Sequence, residues 1–113
     1  MNEERDSRMN PDNEILNKII AAYGIDSQMD MAIEEMSELT KALLKFRRAG
    51  KAEQTSTRVM SDILENVMEE MADVQIMLDQ LYLIFGEPVS QRKFKLERMK
   101  IRLKERSSDG RVE

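Results

Sequence analysis

The sequence contains no cysteine and no histidine. Without cysteine there can be no disulfide, no thiol nucleophile and no thiolate-ligated zinc, and a reducing, cytoplasmic setting is the expectation. Without histidine there can be no imidazole acid or base, and none of the Glu-x-x-His ligands of ferritin-like di-iron bundles. Tryptophan is absent, aromatic residues make up 4% of the chain, and there are four glycines and two prolines in 113 residues. So few turn-formers and so few β-favouring aromatics argue against a sheet protein. No apolar run approaches the roughly 20 residues of a membrane span. The first ten residues are too polar for a secretory signal, so no membrane partner is expected. A net charge of −4 gives no general reason to expect a nucleic-acid partner.

What is present is glutamate, lysine, leucine and methionine in helical rhythm, which predicts an all-α chain with one modest core. Residues 1–10 lack periodicity and read as a disordered start; 11–106 form one helical domain; 107–113 read as a tail. Asn10-Pro11-Asp12 predicts a helix start, with Asn10 as cap, and Gly24 a stop. Ile15, Leu16, Ile19, Ile20 and Tyr23 form the apolar face between them. A second helix is expected from a cap at Asp26 or Ser27 to about Arg48, burying Met29, Ile33, Met36, Leu39, Leu43, Leu44 and Phe46, with Gly50 beyond its end. Lys51 to Thr57 is a polar connection. The third helix starts between Thr55 and Ser61 and stops at Gly86. Ile76 and Leu83, off its main apolar stripe, suggest a further packing surface. Ser90 is expected to cap a fourth helix over Gln91–Arg106, apolar at Phe94, Leu96, Met99, Ile101 and Leu103 and otherwise strongly basic.

The third helix carries the feature that asks for chemistry. Met60, Val67, Val74 and Leu81 recur on one line, and Ile63, Met77 and Ile84 on the next. Glu70 takes the place on the second line where an apolar residue is due, with Asp73 at the edge of the stripe. A carboxylate in a core-facing position costs several kcal/mol unless its charge is compensated, by a lysine or arginine or by a bound cation. Helix two carries a local echo: Glu34-Glu35-Met36-Ser37-Glu38 against Glu69-Glu70-Met71-Ala72-Asp73. If the two helices pack antiparallel, Glu35 and Glu38 can face Glu70 and Asp73. Four converging carboxylates repel one another unless protonated or bound to cations, and a set of hard oxygen donors suits Mg²⁺, with Mn²⁺ as a substitute. The bland alternative stays open: a Glu-rich helix face in solvent, paired with Lys41 or Lys45, and Glu70 neutralised by a basic side chain.

Glu34-Glu35-x-x-Glu38 followed by Glu70-x-x-Asp73 resembles the signature of the MazG-like, all-α nucleoside triphosphate pyrophosphohydrolases. The resemblance covers roughly Met29 to Arg102 and is nearest the short, single-domain, prophage-type members. It departs from them in a slightly long gap of 31 residues between Glu38 and Glu70, and in a loosely matched basic element on the last helix. What the resemblance implies is a four-helix, bundle-like MazG-type fold assembled as a homodimer or homotetramer. It also implies hydrolysis of a nucleoside or deoxynucleoside triphosphate to the monophosphate and pyrophosphate. Mg²⁺ would be held by Glu35, Glu38, Glu70 and Asp73, with Glu34 a further ligand or the residue that orients the attacking water. Lys45, Arg48, Lys95, Arg98 and Arg102 are the candidates to contact phosphates. The competing expectation is a non-catalytic helical module for oligomerisation or partner binding.

Overall fold

The computed structural model describes residues 11–51 and 55–108, and the described residues form four helices and no strand. They are α1 (Pro11–Tyr23), α2 (Ile25–Lys51), α3 (Thr57–Phe85) and α4 (Val89–Ser108). The expected disordered start, the Asn10 cap and the last five residues of the expected tail lie outside the described residues. Ser107 and Ser108 belong to α4 and not to a tail.

The α1–α2 junction is a single residue. The Gly24 amide donates to the Ile20 carbonyl at 2.8 Å, ending α1, and the Gly24 carbonyl accepts from the Gln28 amide at 3.1 Å, starting α2. That double role needs a positive φ of 94°, which glycine adopts without the clash a Cβ would bring. Helix α2 therefore begins before the expected cap: Asp26 and Ser27 are helical, and Asp26 serves in the first turn, where its charge suits the helix dipole. At its other end α2 runs through Gly50, since one glycine costs a helix only about 1 kcal/mol. Thr55 Oγ1 donates to the Ala49 carbonyl at 3.0 Å, supplying a partner at a helix end that needs one. Ser56 caps α3 by accepting from the Val59 amide at 3.2 Å. Ser90 lies within α4; the Arg92 amide donates to the Pro88 carbonyl at 3.0 Å, and the helix starts at Val89, two residues earlier than expected.

Helices α2 and α3 form an antiparallel hairpin that dominates the packing, and α1 lies across both. Ala49 is bonded near Thr55, Glu35 meets Glu70 and Asp73, and Gln28 shares a cleft with Gln80. These three levels fix the register. The α3 side of the seam is the expected one: Ile63, Val67 and Met77 are buried, and Met60, Glu70, Val74 and Leu81 half-buried. The α2 side is rotated from expectation. Its buried residues are Gln28, Ala32 and Ala42; of the expected face, Met29, Leu39 and Phe46 are half-buried, while Ile33, Met36, Leu43 and Leu44 are exposed. Small side chains at the contact let the helix axes approach closely, and that packing displaces the stripe of larger residues to the outside.

Helix α4 packs against none of the other three helices and buries no residue. The four-helix arrangement expected from the sequence is thus a three-helix bundle with a fourth helix standing off it. The radius of gyration, 18.9 Å, exceeds the ~13 Å of a compact globule of this length.

Candidate metal centre

Glu35 comes from α2; Glu70 and Asp73, one turn apart, come from α3. The hairpin register sets them opposite each other, and each offers a carboxylate oxygen within 4.8 Å of the other two. Among three oxygens on one octahedral Mg²⁺ at least two pairs are neighbours about 3 Å apart, so the three side chains would have to draw together from this spacing to hold the ion.

The electrostatics are those of an uncompensated cluster. Glu70 is half-buried, and its Oε1 is shut off from solvent with no hydrogen-bond partner. Among the described residues no lysine or arginine pairs with Glu35, Glu70 or Asp73. The carboxyl of Glu35 is pushed above the ordinary carboxylate range, first by desolvation, then by the negative charges of Asp73, Glu70, Glu34 and Glu38. Each of these features disfavours three ionised groups standing together, and a bound divalent cation would relieve all of them.

The other expected site residues are placed differently. Glu38 is half-buried but directed to Lys41, 3.5 Å away, so three acids converge where four were expected. Glu34 is exposed on α2, within electrostatic reach of Glu35. Lys45 and Arg48 are exposed roughly two and three turns beyond Glu38 on the same helix. Lys95, Arg98 and Arg102 stand on α4, away from the bundle, and Arg98 lies over its own helix's Phe94 ring at 5.7 Å. A single chain does not gather the basic residues of α4 around the acids.

The sequence reading missed what adjoins the acids. A cleft of about 430 Å³ opens beside Glu35 and Asp73 between α1, α2 and α3. Its walls are largely apolar, with Ile19 and Tyr23 from α1, Met31 from α2, and Ile76 and Met77 from α3. Two buried amides also line it: Gln28, and Gln80 at 2% exposure, whose Oε1 has no hydrogen-bond partner. Two glutamines in an apolar seam were the available signal. Each occupies a core-facing position of its helix, as Glu70 does.

Comparison with known proteins found no matching family model, no matching curated protein and no matching solved structure. No helix among the described residues is long and apolar enough to cross a membrane.

Proposed function

We propose that the chain is a Mg²⁺-dependent nucleoside triphosphate pyrophosphohydrolase whose metal is held by Glu35, Glu70 and Asp73. The observation that carries this reading is the meeting of these three carboxylates across the hairpin without a basic partner, one of them with a buried, unpartnered oxygen. The spacing of the acids, which resembles the MazG-like signature, supports it from the sequence side. The adjoining cleft supports it from the other: apolar walls suit the face of a base, and the orphan Gln80 carbonyl suits an N–H donor on its edge.

When bound, Mg²⁺ would supply positive charge against the triphosphate and lower the pKa of water. The chain's own part is positioning. Glu35, Glu70 and Asp73 fix the phosphate end of the substrate at one end of the cleft, and Gln28 and Gln80 fix the nucleoside at the other. Glu34, exposed next to the cluster, orients a water toward the α-phosphorus. Attack there breaks the bond to the bridging oxygen and releases pyrophosphate. Of the basic candidates on α2, Lys45 is the nearer to the acids, about 15 Å along the axis from Glu35, and Arg48 about 20 Å.

The test is a panel of NTPs and dNTPs incubated with Mg²⁺ or Mn²⁺ and followed by pyrophosphate release. Release that stops on chelation is the expected result. No release from any triphosphate overturns the proposal in favour of a non-catalytic helical module, the reading favoured by the apolar side chains exposed on α2, α3 and α4.

A further inference from the structure

Two buried amides line the cleft, and their orientation limits what they offer a ligand. Gln80, from α3, is 2% exposed. Its Nε2 donates to the sulfur of Met77, three residues back on the same helix, at 4.0 Å, while its Oε1 is shut off from water with no partner. Thioether sulfur is a weak acceptor, but it is the one this nitrogen finds among the described residues, and it leaves the oxygen as the end of the amide still to be paired. Gln28, from α2, is likewise buried, and its side chain is bonded to no described residue. It keeps both an acceptor oxygen and a donor nitrogen. Of the other polar groups around the cleft, Tyr23 and Ser27 are exposed and have water, and Glu35 and Asp73 stand in the acidic cluster. The two amides therefore present two acceptors and one donor group.

That set discriminates between base edges. Adenine and cytosine carry an amino group beside a bare ring nitrogen: two N–H groups and one lone pair, which ask for two acceptors and one donor. Gln28 can face such an edge in bidentate fashion, taking one amino hydrogen and giving one to the ring nitrogen, and Gln80 Oε1 takes the second amino hydrogen. Nothing is left unpaired. Hypoxanthine and uracil, the deaminated counterparts, carry a carbonyl beside a ring N–H. Gln28 satisfies both of those groups alone, and the Gln80 oxygen then faces a carbonyl and stays unpaired in an apolar, buried place.

We propose that the cleft selects amino bases over their deaminated counterparts, with Gln80 as the specificity-determining residue and Met77 as the residue that positions it. On binding, the Gln80 amide turns about its bond to Met77 and brings Oε1 onto the amino group. The selectivity rests on the proposed function in taking a nucleotide as the ligand.

The test is calorimetric titration of the full chain, in Mg²⁺, with the α,β-imido analogues of dATP, dITP, dCTP and dUTP, which resist cleavage between the α- and β-phosphorus. The adenine analogue should bind about tenfold more tightly than the hypoxanthine one, and the cytosine analogue about tenfold more tightly than the uracil one. Gln80→Met should erase both preferences by weakening the amino member of each pair alone; a merely structural loss would weaken both members alike. Met77→Leu frees the amide to present its nitrogen, and should narrow the preferences by strengthening the deaminated members. Both substitutions nearly conserve volume, so helical content and thermal midpoint should be kept. Equal binding within each pair, a preference for the deaminated member, a preference that survives Gln80→Met, or no binding of any analogue overturns the proposal. Pyrophosphate release from the four parent triphosphates separates the two readings. Release at equal kcat/KM from all four overturns the selectivity and leaves the hydrolase standing. The expected binding preference without release from any of them supports the selectivity and overturns the hydrolase.

Discussion

Glu70 has two roles that pull apart. Its position in the apolar seam taxes the metal-free fold, and its carboxylate is what the proposed ion would bind. Glu70→Gln should therefore lower turnover by about 100-fold or more, since losing even an outer-shell partner of a metal ligand costs about 10–100-fold. Because the amide keeps the shape and removes one of three crowded charges, the metal-free protein should become more stable, as a higher thermal midpoint by circular dichroism would record. An unfolded variant, or one with full activity, would make Glu70 a structural residue. Glu35 gives a pH signature. Its folded-state pKa is raised, so the folded chain binds its proton more tightly than the unfolded chain does. The ionised group's unfavourable contribution is present above the folded pKa and is relieved as pH falls through it. Relative to Glu35→Gln, the wild type should gain stability on acidification through that window. Over the same window added Mg²⁺ should stabilise it progressively less, because protons compete for the ligand.

At the scale of elements, α2 is the informative case. Its helical character, its approximate ends and the direction of the hairpin were legible, because 3.6-residue periodicity and the stops around it are local signals. Its buried face was not. Periodicity weights large side chains, and α2 carries two overlapping stripes; the hairpin buries the one built on Ala32 and Ala42. Nothing local distinguishes a stripe facing a partner helix from one facing outward. For the same reason Glu70 and Asp73 could be placed from the sequence, since α3 packs as its pattern says, whereas the departure of α4 hinges on one backbone conformation at Gly86. Ala32→Leu should cost about 1–3 kcal/mol by forcing the helices apart, measured by urea unfolding. Leu16 is the one buried residue of α1, and Leu16→Ala should cost about 2–3 kcal/mol. That change should loosen the wall that carries Ile19 and Tyr23, raising KM more than it lowers kcat.

For the whole molecule the metal is expected to act as a stabilising ligand. Mg²⁺ at a hundredfold excess over its Kd should add about 2.7 kcal/mol, reversed by chelator, provided it binds only the folded chain. A thermal midpoint unmoved by Mg²⁺ or Mn²⁺ across a wide concentration range would count against the centre. The hairpin that makes this centre also bears on how the chain acquires its structure. Adjacent helices in antiparallel register have contacts that are near in sequence at the turn and lengthen progressively toward the open end, a topology that folds fast. Glu35 and Asp73 meet midway along it, so the acids come together while the hairpin is still closing, before the contacts at Gln28 and Gln80 where α1 must dock. Their repulsion falls on the folding route itself, and a divalent cation present at that moment would speed the closing of the hairpin as well as stabilise the finished bundle.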